Sequence, residues 1–132
     1  MQALCWDGRR LRLQKKYPLP QIDEHLALVR VRLAGICSTD LQILQGYMGF
    51  RGVPGHEFVG EVCEGPTALV GKRVVGEINF ACGCCQMCQR GLGRHCPTRQ
   101  VMGILNADGS FAEYLAAPVA NLHRVPDEVE DE

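Results

Sequence analysis

The chain has 132 residues, of which 46% are hydrophobic and 22% charged, a balance typical of one folded globular domain and unlike that of a disordered segment. Its 14 basic and 15 acidic residues give a net charge of -1, which favours neither nucleic acid nor an anionic membrane as a partner. Apolar runs are too short for a membrane-spanning helix, and the charged N-terminus is the reverse of a secretory signal. We therefore expect a cytoplasmic protein with no nucleic-acid partner and no membrane partner.

Several short strands are predicted along the chain. Residues 28–36 alternate between apolar and polar side chains, which predicts a half-buried strand with Val29, Val31 and Leu33 on its inner face. Three later β-rich runs, bounded by turn-forming residues, are also predicted as strands: 57–65, 72–78 and 109–118, the last entered through a turn at 106–109. Strands separated by turns, with little helix, favour a β-barrel or sandwich.

One short helix is predicted between the first two strands. Ser38 suits the N-cap, and Asp40 suits the positive end of the helix dipole. Leu41 and Leu44 share a face, and Gly46 can end the helix. At the other end of the chain, residues 124–132 are consistent either with a linker or with a solvated acidic tail.

Five of the eight cysteines fall in the stretch 80–96. Four of them have the spacing Cys-x2-Cys-x2-Cys-x7-Cys: Cys82, Cys85, Cys88 and Cys96. Close pairs let one loop present several thiolates to one ion, and Gly83, Gly91 and Gly93 supply backbone freedom for such a loop. Because four thiolates leave no open position, we predict a structural zinc rather than a catalytic one.

Three alternatives compete with zinc for this stretch. An iron–sulfur cluster of the bacterial ferredoxin type spaces its last cysteine by three residues, whereas Cys96 follows after seven. Disulfides are disfavoured in a reducing compartment. A dinucleotide fingerprint at 91–96 fails because Cys96 stands where its third glycine belongs and no strand precedes it.

The remaining thiols have no equally good partner set. We interpret Cys84 as a bystander of the cluster, and we expect Cys5 and Cys63 to pack as small apolar residues.

A second candidate site involves Cys37 and His56. Cys37 lies just before the predicted helix, where the dipole favours a thiolate, and His56 follows nineteen residues later in a Gly-rich turn beside Glu57. One Cys and one His begin a catalytic zinc set, which needs three protein ligands and an open position. Taken alone, such a pair is more often a buried thiol and a turn histidine than a metal site.

The order of these motifs identifies a family resemblance. The stretches GICSTDLQILQG and VPGHEFVGEV, the four-cysteine run, FAEYLAAP and VPDEV resemble the zinc-containing alcohol dehydrogenases of the medium-chain dehydrogenase/reductase superfamily. The resemblance implies a mainly β, GroES-like, partly open β-barrel over residues 1–132, with a structural-zinc lobe at about 80–97.

The resemblance also assigns roles residue by residue. Cys37 and His56 match two ligands of the catalytic zinc, and Glu57 matches an acidic residue that ligates or exchanges with that metal. Thr39 matches the hydroxyl that binds the substrate alcohol and starts proton removal, while Asp40 matches a carboxylate that orients the ligand histidine. The structural zinc set is matched by Cys82, Cys85, Cys88 and Cys96.

The implied activity is oxidation of a small-molecule alcohol or polyol. Zinc polarises the alcohol, and NAD or NADP, held by a further domain, accepts the hydride. Many members have a proton-relaying histidine where this chain has Gln42, which cannot act as a general base. The resemblance further implies a homo-oligomer for the full-length enzyme.

No G-x-G-x-x-G occurs in these residues, so we expect that the Rossmann cofactor domain is absent and that the chain is a fragment. Such a fragment is expected to bind the structural zinc tightly, to bind the catalytic zinc poorly and to be inactive alone. The alternative function is a non-enzymatic, zinc-stabilised β-barrel that acts as a binding or interaction module.

Overall fold

A computed structural model describes residues 1–131, in which short strands predominate. The strands are β1 (Ala3–Trp6), β2 (Leu11–Gln14), β3 (Leu26–Gly35), β4 (Glu57–Glu64), β5 (Arg73–Gly76), β6 (Asn79–Phe80), β7 (Gln100–Met102), β8 (Asn106–Ala107), β9 (Tyr114–Pro118) and β10 (Leu122–Arg124). The helices are α1 (Ser38–Ile43) and α2 (Gln86–Gln89), with single 3-10 turns at Tyr47–Gly49, Gly93–His95 and Val119–Asn121.

The main sheet has five antiparallel strands in the order β10-β5-β4-β3-β9 and curls into half a barrel. Val29 of the central strand β3 lies opposite Val62 of β4 and Leu115 of β9, and all three side chains are buried. Together with Ala27, Val74 and their neighbours they form the largest apolar core. Since β3 and β4 both contribute to this core, the segment that leaves β3 and returns as β4 is fixed at both ends.

Two smaller sheets complete the fold. β1 and β2 form an antiparallel hairpin, and β6, β7 and β8 form a three-stranded sheet beside the cysteine-rich stretch. Two satellite clusters pack under these elements, one around Val53 and one around Ile43 and Phe50. Val53, Phe50 and Ile43 all belong to the segment between β3 and β4, so that segment is packed rather than loose.

The predicted strands at 57–65 and 72–78 are present as β4 and β5, and the strand at 28–36 is present as β3. Its inner face was predicted wrongly in part, because Leu33 is 44% exposed. The pairing of β3 with β4 shifts register between Val31 and Leu33, which turns the end of the strand away from the core. The strand predicted at 109–118 begins only at Tyr114.

The predicted helix exists, but its first residue and its buried face differ from the prediction. Cys37, not Ser38, is the N-cap residue, and the Cys37 N–H donates to Asp40 Oδ2 at 2.8 Å. The helix buries Asp40 and Ile43, whereas Leu41 is 56% exposed. The helix ends before Gly46.

The thiols outside the cysteine-rich stretch behave differently from one another. Cys5 is buried, as expected, but Cys63 is exposed, so its prediction was wrong. Cys63 follows the buried Val62 near the end of β4, and alternation along the strand directs it to solvent.

The acidic segment after β10 contacts the main sheet. Asp131 lies 3.0 Å from Arg32 Nε and 2.7 Å from Arg73 Nη1. Glu132 lies outside the described residues. Within residues 1–131, no helix has both the length and the apolar character needed to cross a membrane.

Candidate metal centres

The cysteines predicted to bind one structural metal lie together. The sulfur atoms of Cys82, Cys85, Cys88 and Cys96 are all within 4.8 Å of one another. Cys85 Sγ lies 3.5 Å from Cys88 Sγ, and Cys82 Sγ lies 3.9 Å from Cys88 Sγ. A tetrahedron with zinc–sulfur bonds of about 2.3 Å has sulfur–sulfur edges of about 3.8 Å. The spacing of the four sulfurs therefore fits zinc.

Backbone geometry explains how one short stretch gathers these sulfurs. Gly83 has a φ of 75°, which lets the chain turn sharply after Cys82. Cys85 is the N-cap residue of α2, which places Cys88 one turn further along. The 3-10 turn Gly93–His95 then leads directly to Cys96, which is buried.

The loop is also electrostatically arranged for thiolates. The backbone N–H groups of Cys84 and Cys85 donate toward the Cys82 sulfur and lower the pKa of Cys82 to about 5. The Cys82 N–H donates to Cys96 Sγ at 3.5 Å, which lowers the pKa of Cys96. Burial and the neighbouring thiol of Cys85 raise the pKa of Cys88 to about 12. Four crowded sulfurs are the donor set that a divalent cation would stabilise.

Cys84 lies beside this cluster without belonging to it. Its sulfur is 3.7 Å from Cys82 Sγ, and its side chain is exposed. The hydrogen bond to Cys82 raises the pKa of Cys84. This geometry supports its interpretation as a bystander.

The second predicted set also lies together. One ligand atom from each of Cys37, His56 and Glu57 falls within 4.8 Å of the other two. Cys37 precedes α1, while His56 and Glu57 lead into β4. Because Glu57 pairs with Gly35 across the β3–β4 ladder, the ends of these adjacent strands bring the three residues together.

Asp40 is buried beneath this set and connects its parts. Its Oδ2 accepts the Cys37 N–H at 2.8 Å, and its Oδ1 accepts the Gly55 N–H at 3.3 Å. His56 Nδ1 is 3.4 Å from Asp40 Oδ1. Among the described residues, this buried nitrogen has no partner with good hydrogen-bond geometry. The carboxylate faces Nδ1, so Nε2 remains as the ligand atom of the ring.

Thr39 and Gln42 lie on the same short helix as Asp40. Thr39 is half-buried, and its Oγ1 is 3.8 Å from Cys37 Sγ, so the hydroxyl lies at the candidate site. Gln42 is exposed, so it lies on the solvent side of the helix.

Segment 103–111 contributes to the site in a way that sequence motifs did not reveal. The backbone N–H groups of Gly109, Ser110 and Phe111 donate to the carbonyls of residues 53–55 at 2.7, 2.9 and 3.0 Å. A Cβ on Gly109 would lie 2.0 Å from the Gly55 carbonyl oxygen, and one on Gly103 would lie 2.2 Å from it. We call residues 103–111 the cradle, because they hold the His56 loop (residues 52–56) against the barrel.

The sequence analysis also did not predict a role for Gly35 at the site. A Cβ at Gly35 would lie 2.6 Å from Glu57 Oε2, so a larger residue there would displace this carboxylate from its position beside the site. The signal was present as a glycine two residues before Cys37, but its meaning depends on the β3–β4 register.

The donor set fits a transition metal. A thiolate, an imidazole and a carboxylate are ligands that Zn²⁺ accepts, and three protein ligands leave a fourth position free. By contrast, the four-cysteine cluster fills a tetrahedron. The four cysteines would therefore form a closed centre, and Cys37, His56 and Glu57 would form an open one.

The chain is similar to known dehydrogenases. L-threonine 3-dehydrogenase of Sinorhizobium medicae (strain WSM419) is 39% identical over 89% of this chain, which covers 37% of that enzyme. An alcohol dehydrogenase structure from Escherichia coli CFT073, complexed with NADH, matches 99% of this chain with a TM-score of 0.89 and 33% identity, over 40% of its own length. The structure of zinc dependent alcohol dehydrogenase 2 from Streptococcus pneumonia matches 99% of this chain with a TM-score of 0.83 and 30% identity, also over 40% of its own length.

These matches confirm the expected mainly β, GroES-like fold. The chain spans about 37% of the length of the curated relatives that it matches. A family model described as the alcohol dehydrogenase GroES-like domain matches residues 23–127. The chain therefore belongs to the alcohol dehydrogenase GroES-like domain family.

Proposed function

We propose that this chain is the N-terminal, metal-binding domain of a zinc-dependent, NAD(P)-linked alcohol dehydrogenase. The observation that supports this most directly is the convergence of Cys37, His56 and Glu57 above the buried Asp40. A binding module without chemistry has no need for an open three-ligand set with a carboxylate directed at its histidine. The closed four-cysteine centre supports a structural role for its own metal.

When bound at the open centre, zinc supplies Lewis acidity that lowers the pKa of an alcohol oxygen. The chain's own residues prepare the site for that chemistry. Asp40 holds the backbone of Cys37, and its carboxylate faces His56 Nδ1, where it can orient the imidazole. Thr39 offers a hydroxyl at the site that can take up the alcohol proton only as it passes its own proton on. Because Gln42 cannot act as a base, the proton leaves through water or another group.

The proposed substrate is a small alcohol or polyol. Apolar side chains are exposed on the segments that flank Cys37, with Ile36 76% exposed and Met48 48% exposed. Such side chains would suit the carbon skeleton of a substrate or a covering domain. Since the relatives include L-threonine 3-dehydrogenases, L-threonine is the first substrate to test.

The hydride acceptor would be NAD or NADP, held by a further domain of the full-length enzyme, which we propose is a homo-oligomer. The eight free thiols suit a reducing cytoplasm. We assign Cys37, His56 and Glu57 to the catalytic zinc, Thr39 and Asp40 to catalysis and positioning, and the four-cysteine cluster to the structural zinc.

The test uses the full-length product of the gene. NAD(P)H formation is followed with L-threonine and with a panel of alcohols and polyols, for the wild type and for Cys37→Ser. The proposal expects activity with at least one alcohol and a loss of at least ~10³-fold in Cys37→Ser. Absence of activity across the panel, in a protein that binds zinc at both centres, would favour the non-enzymatic binding module.

A further inference from the structure

The Asp108 carboxylate joins two distant segments. Its Oδ1 accepts the Val53 N–H at 2.9 Å, and its Oδ2 accepts the Tyr17 hydroxyl at 2.6 Å. Val53 begins the short run of chain that reaches His56, whereas Tyr17 follows the β1–β2 hairpin. The hairpin end of the fold is thereby connected to the His56 loop.

The fit between Asp108 and the loop is close. A Cβ on Gly52 would lie 2.6 Å from Asp108 Oδ1, so the carboxylate lies directly against the start of the loop. A hydroxyl that donates to a carboxylate makes one of the stronger hydrogen bonds in proteins. Burial and Asp108 raise the pKa of Tyr17, so its hydroxyl keeps the proton that this bond needs.

Hydrogen bonds hold the backbone of the loop at successive residues from Gly52 to Gly55. The carbonyls of residues 53–55 accept from the cradle, and the Ser110 hydroxyl donates to the Glu57 carbonyl at 3.3 Å. Three amides of the loop donate elsewhere: Gly52 N–H to the Trp6 carbonyl, Val53 N–H to Asp108 and Gly55 N–H to Asp40. Asp108 and Asp40 therefore bracket the backbone that sets the position of His56.

We propose that Asp108 and Tyr17 are positioning residues for the open metal centre, acting through the Val53 N–H on the loop that carries His56. This inference rests on the proposed function, because it requires that Cys37, His56 and Glu57 bind a metal. A purely structural role for the pair predicts something different, namely reduced stability with unchanged metal affinity in the folded protein.

The experiment is a Co²⁺ titration of the 132-residue chain. The four-cysteine centre is first filled with Zn²⁺, and the thiolate-to-cobalt absorbance of the open centre is then measured. Cys37→Ser identifies the band that belongs to Cys37. The test variants are Tyr17→Phe, which removes only the hydroxyl, and Asp108→Ala, which removes both bonds.

Tyr114→Phe is the matched control. Tyr114 lines the same 400 Å³ cavity as Tyr17 and Asp108, and its hydroxyl makes no hydrogen bond to the protein within residues 1–131. The proposal expects the dissociation constant of Co²⁺ at the open centre to rise about tenfold in Asp108→Ala and about threefold in Tyr17→Phe. Tyr114→Phe should match the wild type, and zinc at the four-cysteine centre should be retained in all variants.

Two outcomes overturn the proposal in different ways. If Tyr17→Phe and Asp108→Ala bind Co²⁺ as the wild type does, the positioning role is wrong and the proposed function stands. If the wild type shows no Cys37-dependent band at any Co²⁺ concentration, the open metal centre is wrong, and this inference is wrong with it. If Asp108→Ala does not fold, Tyr17→Phe alone decides, because it keeps the carboxylate and the Val53 bond.

Discussion

At the scale of single residues, Asp40 carries more contacts than its motif suggested. The resemblance gave it the role of orienting a histidine, and the structure adds hydrogen bonds from Cys37 N–H and Gly55 N–H. A carboxylate that is only 4% exposed and bound by two amides is a structural residue as well as a site residue. Sequence could supply the residue types of the site, but the two amide partners depend on how the helix and the loop pack.

Replacing Asp40 therefore has two expected effects. Asp40→Ala leaves two buried amides without acceptors, which should lower the free energy of unfolding by about 2–4 kcal/mol. Asp40→Asn keeps one acceptor oxygen, so it should lower the free energy of unfolding by about half as much. It should still weaken metal binding at the open centre. Urea unfolding and Co²⁺ titration of both variants check this. Equal stability of Asp40→Ala and the wild type would contradict it.

Replacing Cys37 should separate metal binding from folding. The Cys37 side chain lies 3.8 Å from Thr39 Oγ1 and takes part in a capping box with the Asp40 N–H. Because a serine hydroxyl can also serve as an N-cap, Cys37→Ser should change the free energy of unfolding by less than about 1 kcal/mol. The same change should abolish Cys37-dependent cobalt absorbance. A large fall in melting temperature would mean that the thiol has a structural role that we have not assigned to it.

At the scale of elements, the cradle and the His56 loop form a single packed unit. Strand periodicity predicted β3, β4 and β5 because buried strands carry their pattern in their own residues. It placed a strand over 109–118 because the composition is β-rich. The backbone N–H groups of residues 109–111 instead donate to the loop, while the Phe111 carbonyl accepts from Leu4 of β1. Loop-to-loop hydrogen bonding leaves no periodic signal, so the cradle could not be predicted.

The close approach within this unit can be tested with glycines. Gly103→Ala would place a Cβ 2.2 Å from the Gly55 carbonyl oxygen, whereas Gly71→Ala meets nothing within 4 Å, and both glycines have positive φ, 66° and 74°. Gly71→Ala should lower the free energy of unfolding by about 1 kcal/mol, from backbone strain alone. Gly103→Ala should lower the free energy of unfolding by on the order of 3 kcal/mol or more, because the His56 loop must move. If urea unfolding shows similar losses of stability for the two variants, the contact between residue 103 and the Gly55 carbonyl is not tight.

The four-cysteine lobe allows a comparable test with neighbouring thiols. Cys96→Ala removes a buried ligand and should lower stability by on the order of 4 kcal/mol or more, because zinc binding contributes directly to folding. Cys84→Ala removes an exposed non-ligand thiol and should leave zinc content and melting temperature unchanged. If Cys84→Ala also loses zinc, then Cys84 is a ligand and the assigned set is wrong.

At the scale of the whole molecule, two candidate metal centres of different kinds lie on one β scaffold. The spacing of the four cysteines predicted the closed centre from sequence alone, since its ligands lie within one short stretch. The open centre needed the family resemblance, because Cys37 and His56 are brought together only by the β3–β4 pairing. The hydrogen bonds made by Asp108 and the cradle join segments far apart in sequence, so local sequence patterns do not predict them.

The central claim is that a tight structural zinc and a weaker, open zinc centre coexist in this chain. Zinc content after dialysis against a mild chelator tests it most directly, in the wild type, Cys96→Ala and Cys37→Ser. We predict about one retained zinc per chain in the wild type and Cys37→Ser, and none in Cys96→Ala. A second equivalent should appear only in excess zinc and only when Cys37 is present. Two zinc ions that survive dialysis, or a retained zinc that does not depend on Cys96, would contradict the account.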